Sequence, residues 1–178
     1  MMVKMSNIRN QTQAILIDAD IIIHFEKAGA ILLLQKIYPK NPKLILDKVL
    51  TELSVRRSAR VFADNLINFK ICTLVPIAGN NEILKEYAHL IKTFGKGESA
   101  CMAYCKYNKD ILASSNLKDV KTYCLDNGIE LLTTMDFLHE AFRSGIMSEA
   151  ECDLFIYNVT TKGSKLPYKT IAEYLAKL

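Results

Sequence analysis

Acidic and amide side chains stand at four places where a predicted strand ends or a predicted helix begins. Asp18 and Asp20 follow the apolar run 14–17, and Glu52 lies in the helix predicted after the second strand. The other members come later in the chain: Glu98, Asn116 and Asp119. In an open α/β sheet the carboxyl ends of the strands meet at one edge, where ligands bind. We therefore expect these side chains to lie close together although they are far apart in the sequence.

Oxygen ligands of this kind favour a divalent cation. Mg²⁺ and Mn²⁺ prefer carboxylate and amide oxygens, and an ion held in this way can activate a water for phosphodiester cleavage. Each position also has a simpler explanation. Asp18 and Asn116 are good helix caps, and Glu98 suits a first helical turn. Glu52 could instead pair with Arg56 on a solvated helix face.

The basic residues allow two interpretations as well. Arg56 and Arg60 belong to the densest basic cluster and stand one predicted helical turn apart, in register with Glu52. They could form a phosphate track towards the acidic residues, or they could belong to a solvated or partner-docking face. Lys96, in a glycine-flanked turn beside Glu98, could touch a phosphate, although this loop lacks the spacing of a nucleotide-binding P-loop.

Composition limits the class of protein. The chain has 178 residues, half of them apolar, and a net charge of +4, which is compatible with a polyanionic partner without requiring one. No stretch reaches the length of a membrane span, and residues 1–10 lack a signal-peptide core. The five cysteines form no CxxC pair, so buried reduced thiols are expected. These features predict a cytoplasmic protein that does not contact a membrane.

Strands and helices alternate over most of the chain, which predicts an α/β fold with three α/β/α layers and a mainly parallel central sheet of about five strands. Among the helices, the pattern predicts one over 25–38, one from Lys48 into the region 56–60, and a last one over 167–178. We expect an α/β domain over 1–145 and a helical extension over 146–178 that packs on the same domain.

Four short motifs carry a resemblance to a known family. They are Ile15–His24 with its Asp18, Val49–Leu53 with its Glu52, Gly97–Ala100 with its Glu98, and Leu112–Asp119. Their order, and the 18 residues from Glu98 to Asn116, resemble the PIN-domain nucleases. Thr134 and the tail with Leu166-Pro167-Tyr168 resemble a compact, toxin-type branch of that family.

The resemblance implies a metal-dependent endoribonuclease. Asp18 and Glu98, with Asn116 or Asp119, would hold Mg²⁺ or Mn²⁺, and Glu52 would complete the site. Hydrolysis of RNA would leave a 3′-hydroxyl and a 5′-phosphate. Members of this branch are frequently toxins that a small antitoxin neutralises, and they often form homodimers. Asn116 departs from the pattern, since many active members have Asp there, and Asp119 could supply the missing charge.

Two other functions stay open at this point. The Asn116 departure motivates a PIN fold with weakened catalysis that serves as an RNA- or protein-binding module. Asp18-x-Asp20 after a strand also resembles the haloacid-dehalogenase phosphatases. That family needs a later acidic pair at a strand end, which the segment 114–116 does not supply.

Overall fold

The computed structural model describes residues 12–178 and shows an all-parallel sheet flanked by helices. The strand order is β3-β2-β1-β4-β5. The strands are β1 (Ile15–Ile17), β2 (Lys43–Leu46), β3 (Thr73–Val75), β4 (Ile111–Ala113) and β5 (Leu131–Leu132). The predicted α/β class with three layers is confirmed.

Ten helices connect or cover these strands within residues 12–178. They are α1 (Ala19–Ala28), α2 (Leu33–Lys36), α3 (Asp47–Leu53), α4 (Arg57–Asn68), α5 (Asn81–Leu90), α6 (Lys96–Asn108), α7 (Leu117–Asn127), α8 (Thr134–Arg143), α9 (Glu149–Thr161) and α10 (Ile171–Leu175). The central strands β1 and β4 are buried throughout, as expected for a parallel sheet covered by helices, whereas the edge strand β3 is largely exposed.

The direction of the winding reverses at β1, which lies between β2 and β4. Ile15 pairs with Lys43 on one side and with Ile111 on the other, and Ile17 pairs with Ala113. The chain moves from β1 to β2 and β3, then crosses back to β4 and β5. The adjacent carboxyl ends of β1 and β4 therefore form a topological switch point, where ligands bind in open α/β sheets.

The hydrophobic core joins the sheet to the C-terminal helices. Phe25 of α1 is fully buried and packs edge-on against Phe137 of α8 and Phe155 of α9, with ring centroids 5.8 and 5.1 Å apart. Such aromatic pairs add about 1 kcal/mol each beyond area burial. Helix α1, which begins at the switch point, is thereby fixed along its length.

The helix predicted over 25–38 is wrong in its bounds. Helix α1 already begins at Ala19, because Asp18 caps it through a hydrogen bond from the Ala19 backbone N–H to Oδ1 (2.8 Å). It ends at Ala28, and the C-cap residue Gly29 has a φ of 69°, which glycine adopts readily. The remaining segment forms only the short helix α2.

The single helix predicted from Lys48 into 56–60 is also wrong. Helix α3 ends at Leu53 and α4 begins at Arg57, with Arg56 in a non-helical conformation between them. Arg56 and Arg60 are therefore not in helical register with Glu52. No glycine or proline marks this break in the sequence.

The predicted last helix over 167–178 is reduced to α10, which Thr170 caps. The segment before it is irregular, and its Tyr168 ring lies 5.3 Å from the ring of Tyr174 in α10, whose hydroxyl donates to Asp136 of α8. All five cysteines lie in the described range and are buried and free, as predicted.

None of the helices formed by residues 12–178 is long and apolar enough to cross a membrane.

Candidate functional site

All five residues predicted to be catalytic line one pocket of about 200 Å³ at the carboxyl ends of β1 and β4. We call it the acidic pocket. Its lining residues are Asp18, Ala19, Asp20, Glu52, Gly95, Glu98, Asn116 and Asp119. They come from the start of α1, from α3, from the start of α6, and from the end of the β4–α7 loop and the first turn of α7. The fold thus brings together side chains that are up to about 100 positions apart.

Asp18 is fixed at the centre of the switch point. Its backbone N–H donates to the Ala113 carbonyl of β4 (3.0 Å), and its carboxylate accepts from the Ala19 N–H while only 5% of the residue is exposed. Burial, followed by the charge of Asp20, raises the pKa of Asp18 well above its ordinary value. Desolvation and like charges both disfavour the carboxylate form.

Asp20 is held by the strand-end segment opposite. Its Oδ2 accepts hydrogen bonds from the Ser115 N–H (2.7 Å) and the Ser114 hydroxyl (3.4 Å). Its Oδ1 is buried and has no hydrogen-bond partner among the described residues. Burial outweighs these bonds and raises the pKa of Asp20 to about 6. Asp20 thus offers an unmet acceptor inside the pocket.

Asn116 separates two carboxylates. Its amide Nδ2 donates to Glu98 Oε1 (2.9 Å) and to Asp119 Oδ2 (2.8 Å). Glu98 is buried, with only 7% of its surface exposed. Burial, together with the Asp119 charge, still raises its pKa to about 7. The amide therefore reduces the repulsion between Glu98 and Asp119 without removing it.

Glu52 reaches the pocket from α3 because α6 offers a glycine. Its Oε2 accepts from the Gly97 N–H (2.9 Å) in the first turn of α6. A Cβ at position 97 would overlap that oxygen and lie 3.3 Å from the Val49 backbone. The absence of a side chain at Gly97 leaves room for the Glu52 carboxylate against the start of α6, so the Gly-Glu pair at 97–98 positions two of the pocket's carboxylates.

A buried hydrogen-bond chain supports the pocket from the interior. His24 Nδ1 lies 2.7 Å from Thr134 Oγ1, which lies 2.8 Å from Ser115 Oγ, and the Thr134 N–H donates to the same Ser115 oxygen (2.9 Å). Burial lowers the pKa of His24 to about 4, so the ring is neutral near pH 7. The chain fixes Ser115, whose N–H holds Asp20.

Sequence reasoning left Asp20 out of the predicted ligand set and gave Ser115 no role. The signals for Asp20 were present in the Asp-x-Asp spacing after β1, which puts both carboxylates in the first turn of a helix at a strand end. No local signal links Ser115 to Asp20, since their hydrogen bond joins positions 95 residues apart.

The basic residues predicted to contact nucleic acid do not line the acidic pocket. Arg60 is engaged by Asp64 (3.0 Å) and by the Leu50 carbonyl (3.2 Å). Arg56 is exposed in the turn before α4, and Lys96 is exposed at the start of α6, two residues before Glu98. Their contact with RNA stays a prediction.

The carboxylates are held by backbone amides and by Asn116 rather than as a ready set of metal ligands. Within the described part of the chain, no group of three or more His, Cys, Asp or Glu side chains is arranged to hold a metal ion. The pocket nevertheless fits Mg²⁺ or Mn²⁺ chemically, because its carboxylates supply the oxygen ligands that these ions prefer. The unpaired Asp20 oxygen and the raised carboxyl pKa values point to the same fit.

Comparison with protein-family models and with curated proteins assigns this chain to no family. No protein-family model matches it, and no curated protein matches it significantly. Its function must therefore be inferred from the acidic pocket.

Proposed function

We propose that this protein is a divalent-metal-dependent endoribonuclease of PIN type. The observation that carries the proposal is the convergence of five carboxylates and one amide, from four segments of the chain, in a single pocket at the topological switch point. Structural carboxylates are usually paired with cations or solvated. None of these five forms an ion pair with a described residue, and Asp18 and Glu98 are buried, whereas Glu52 is exposed.

A cation would offset the cost of burial that raises the pKa values of Asp18, Asp20 and Glu98, and the repulsion between carboxylates that adds to it at Asp18 and Glu98. Asp18 and Glu98, with Asn116 or Asp119, would hold Mg²⁺ or Mn²⁺, and Glu52 would complete the site. A bound divalent ion supplies Lewis acidity that lowers the pKa of a nearby water and stabilises negative charge at phosphorus.

The chain's own residues orient this set. Asn116 fixes Glu98 and Asp119 relative to each other through its two amide hydrogen bonds. The Gly97 N–H fixes Glu52. Pre-orientation of this kind contributes to catalysis by removing the need to order the groups during the reaction.

The size and chemistry of the pocket support a phosphodiester substrate. A volume of about 200 Å³ lies below the range of pockets that enclose drug-sized ligands. It suits a single phosphate group of a nucleic-acid strand that binds from the surface. RNA is the proposed substrate, as in the family that the sequence resembles. A toxin role in the cytoplasm, a small antitoxin partner and a homodimer are part of the same proposal.

A second function is favoured by one observation, the Asn116 amide. Its hydrogen bonds to Glu98 and Asp119 do part of what a cation would do, since they reduce repulsion between two carboxylates. A PIN-like fold that binds RNA or a protein without cleaving it is therefore the second candidate.

An RNA cleavage assay separates these functions. We expect purified protein to cleave single-stranded RNA with Mg²⁺ or Mn²⁺, and to lose cleavage with chelator or after Asp18→Asn or Glu98→Gln. Asp126→Asn and Glu82→Gln, which change exposed carboxylates on α7 and α5, are matched controls and should cleave normally.

Cleavage that survives chelator or either pocket substitution would contradict the metal mechanism. RNA binding without cleavage would favour the binding module. Turnover of small phosphate esters in place of RNA would favour a phosphatase instead.

A further inference from the structure

A second pocket of about 310 Å³ lies beside the acidic pocket. We call it the aromatic pocket. Its walls include Ser115, Leu117, Leu166, Pro167, Tyr168 and Tyr174. The C-terminal segment before and within α10 supplies four of these residues, so the tail folds back beside the segment that joins β4 to α7.

The two pockets share one wall. Asn116 and Asp119 line the acidic pocket, whereas the neighbouring Ser115 and Leu117 line the aromatic pocket. The Ser115 N–H donates to Asp20 in the acidic pocket. A ligand bound in one pocket therefore lies next to a ligand bound in the other, at a separation set by three consecutive residues.

The aromatic wall is fixed before any ligand binds. The Tyr168 and Tyr174 rings lie 5.3 Å apart at 60°, and the Tyr174 ring also packs against His139 at 6.2 Å. The Tyr174 hydroxyl donates to Asp136 Oδ1, and the fully buried Ile171 anchors the segment between the two tyrosines. Fixed rings lose little conformational entropy on binding.

The polar groups of this pocket are largely used within the protein. Asp136 accepts from Tyr174 through one carboxylate oxygen and from the Thr133 hydroxyl and N–H through the other. Ser115 Oγ is bonded to Thr134. The pocket therefore presents ring and aliphatic surface rather than free donors and acceptors, which suits a planar apolar face better than a charged group.

We propose that the aromatic pocket holds, by stacking, a nucleobase of the strand whose phosphate lies at the acidic pocket. The inference rests on the proposed function in that it takes the strand to be RNA. Bases stack on aromatic side chains, and stacking tolerates any base because every base has a π-face. Binding by stacking alone gives weak sequence preference, and the tail then serves as a strand-positioning element.

The test compares the RNA affinity of the protein with and without the Tyr168 ring. A fluorescein-labelled, 12-nucleotide single-stranded RNA is titrated with protein in the Asp18→Asn background, which removes the expected cleavage, and followed by anisotropy. Adding Tyr168→Ala should weaken binding roughly tenfold, and Tyr168→Phe should restore it. Tyr157→Ala, which removes an exposed ring on α9, should leave affinity unchanged.

A second arm does not depend on any tyrosine variant folding. RNA carrying 5-iodouridine is photocrosslinked to the Asp18→Asn protein, in which every tyrosine is retained, and the modified peptide is mapped by mass spectrometry. Crosslinks in residues 166–174 support the proposal. Crosslinks elsewhere would overturn it, and so would equal RNA affinity of the proteins with and without Tyr168→Ala. The pocket would then be better suited to an apolar side chain of a protein partner.

The outcome also separates this inference from the proposed nuclease. Metal-dependent cleavage with no dependence on Tyr168 keeps the nuclease and removes the base site. Binding that depends on Tyr168, in a protein that never cleaves RNA, keeps the base site and removes the nuclease.

Discussion

The two ends of the parallel sheet bury charges of opposite sign in different surroundings. At the amino end, Lys43 begins β2 with 6% of its surface exposed, and its Nζ donates to the backbone oxygens of Tyr38 (3.1 Å) and Asn41 (3.4 Å). Burial lowers the pKa of Lys43. At the carboxyl end, several carboxylates share one pocket, and burial and mutual repulsion raise the pKa values of Asp18 and Glu98.

The difference separates a structural charge from a functional one. Lys43 is a single cation whose partners are fixed carbonyl groups, so the fold alone accounts for it. The acidic pocket concentrates charges of one sign and leaves Asp20 Oδ1 without a partner in the described structure. Like charges kept together at a cost in stability are typical of functional sites.

Asp18→Asn gives the largest expected effect and acts in opposite directions on activity and stability. Cleavage of RNA should fall at least about a hundredfold, because a cation ligand is lost. The melting temperature of the metal-free protein should rise, since a buried negative charge is removed from a repulsive cluster. Calorimetry in chelator and a cleavage assay check both. If cleavage and the melting temperature both fell, Asp18 would be a structural charge, like Lys43.

Gly97→Ala tests the close approach of α3 and α6. The added Cβ would displace the flexible Glu52 carboxylate and lie 3.3 Å from the Val49 backbone, so we expect a loss of about 1 kcal/mol in the free energy of unfolding and strongly reduced cleavage. Urea unfolding measures the first effect. Gly79→Ala, at a position with open space for a Cβ but with a φ of 84°, controls for backbone strain alone and should retain cleavage.

Lys43→Met tests the amino end. We expect a loss of about 2 kcal/mol in the free energy of unfolding, because the two carbonyls lose their donor. Cleavage per folded molecule should be unchanged, and Mn²⁺ should stabilise the variant as much as the original protein. Lys92→Met, at an exposed position, is the matched control. Loss of cleavage with a normal melting temperature would mean that the two ends are not functionally separate.

The pH dependence of stability tests the repulsive cluster at the carboxyl end of the sheet. The folded-state pKa of Glu98, about 7, lies above its unfolded value near 4.5, so the folded state binds more protons between these values. Stability of the metal-free protein should therefore fall as pH rises from 5 to 8, by roughly 2 kcal/mol relative to Glu98→Gln.

The comparison with Glu98→Gln is needed because His24 acts with the opposite sign. Its folded pKa, about 4, lies below the unfolded value, so its contribution increases with pH up to about 6.5. This contribution is common to both proteins and cancels. A difference between them that does not change with pH would contradict the raised pKa of Glu98.

Asn116→Asp should give the smallest effect on the fold. It replaces the donor between Glu98 and Asp119 by a third carboxylate, so the metal-free melting temperature should fall by a few degrees, corresponding to about 1 kcal/mol. Mn²⁺ should restore it, and cleavage should be preserved or raised. A strong loss of cleavage despite restored stability would remove position 116 from the proposed ligands.

The parts of this molecule that follow local rules could be predicted from the sequence. The strands are short apolar runs, and the helix after Asp18 begins with a cap, although its start was predicted too late. The α3–α4 break has no glycine or proline to mark it, and the tail forms only the short helix α10, which contacts α8 and α9. The residues that converge on the acidic pocket were named, whereas the His24–Thr134–Ser115 support joins positions 110 and 19 residues apart and leaves no local pattern.

The most direct test of the acidic pocket is calorimetric titration of the metal-free protein with Mn²⁺. We predict saturable binding that raises the melting temperature, disappears in Asp18→Asn and in Glu98→Gln, and persists in Asp126→Asn and Glu82→Gln. No saturable binding, or equal binding in the pocket variants and the controls, would contradict the proposed metal site.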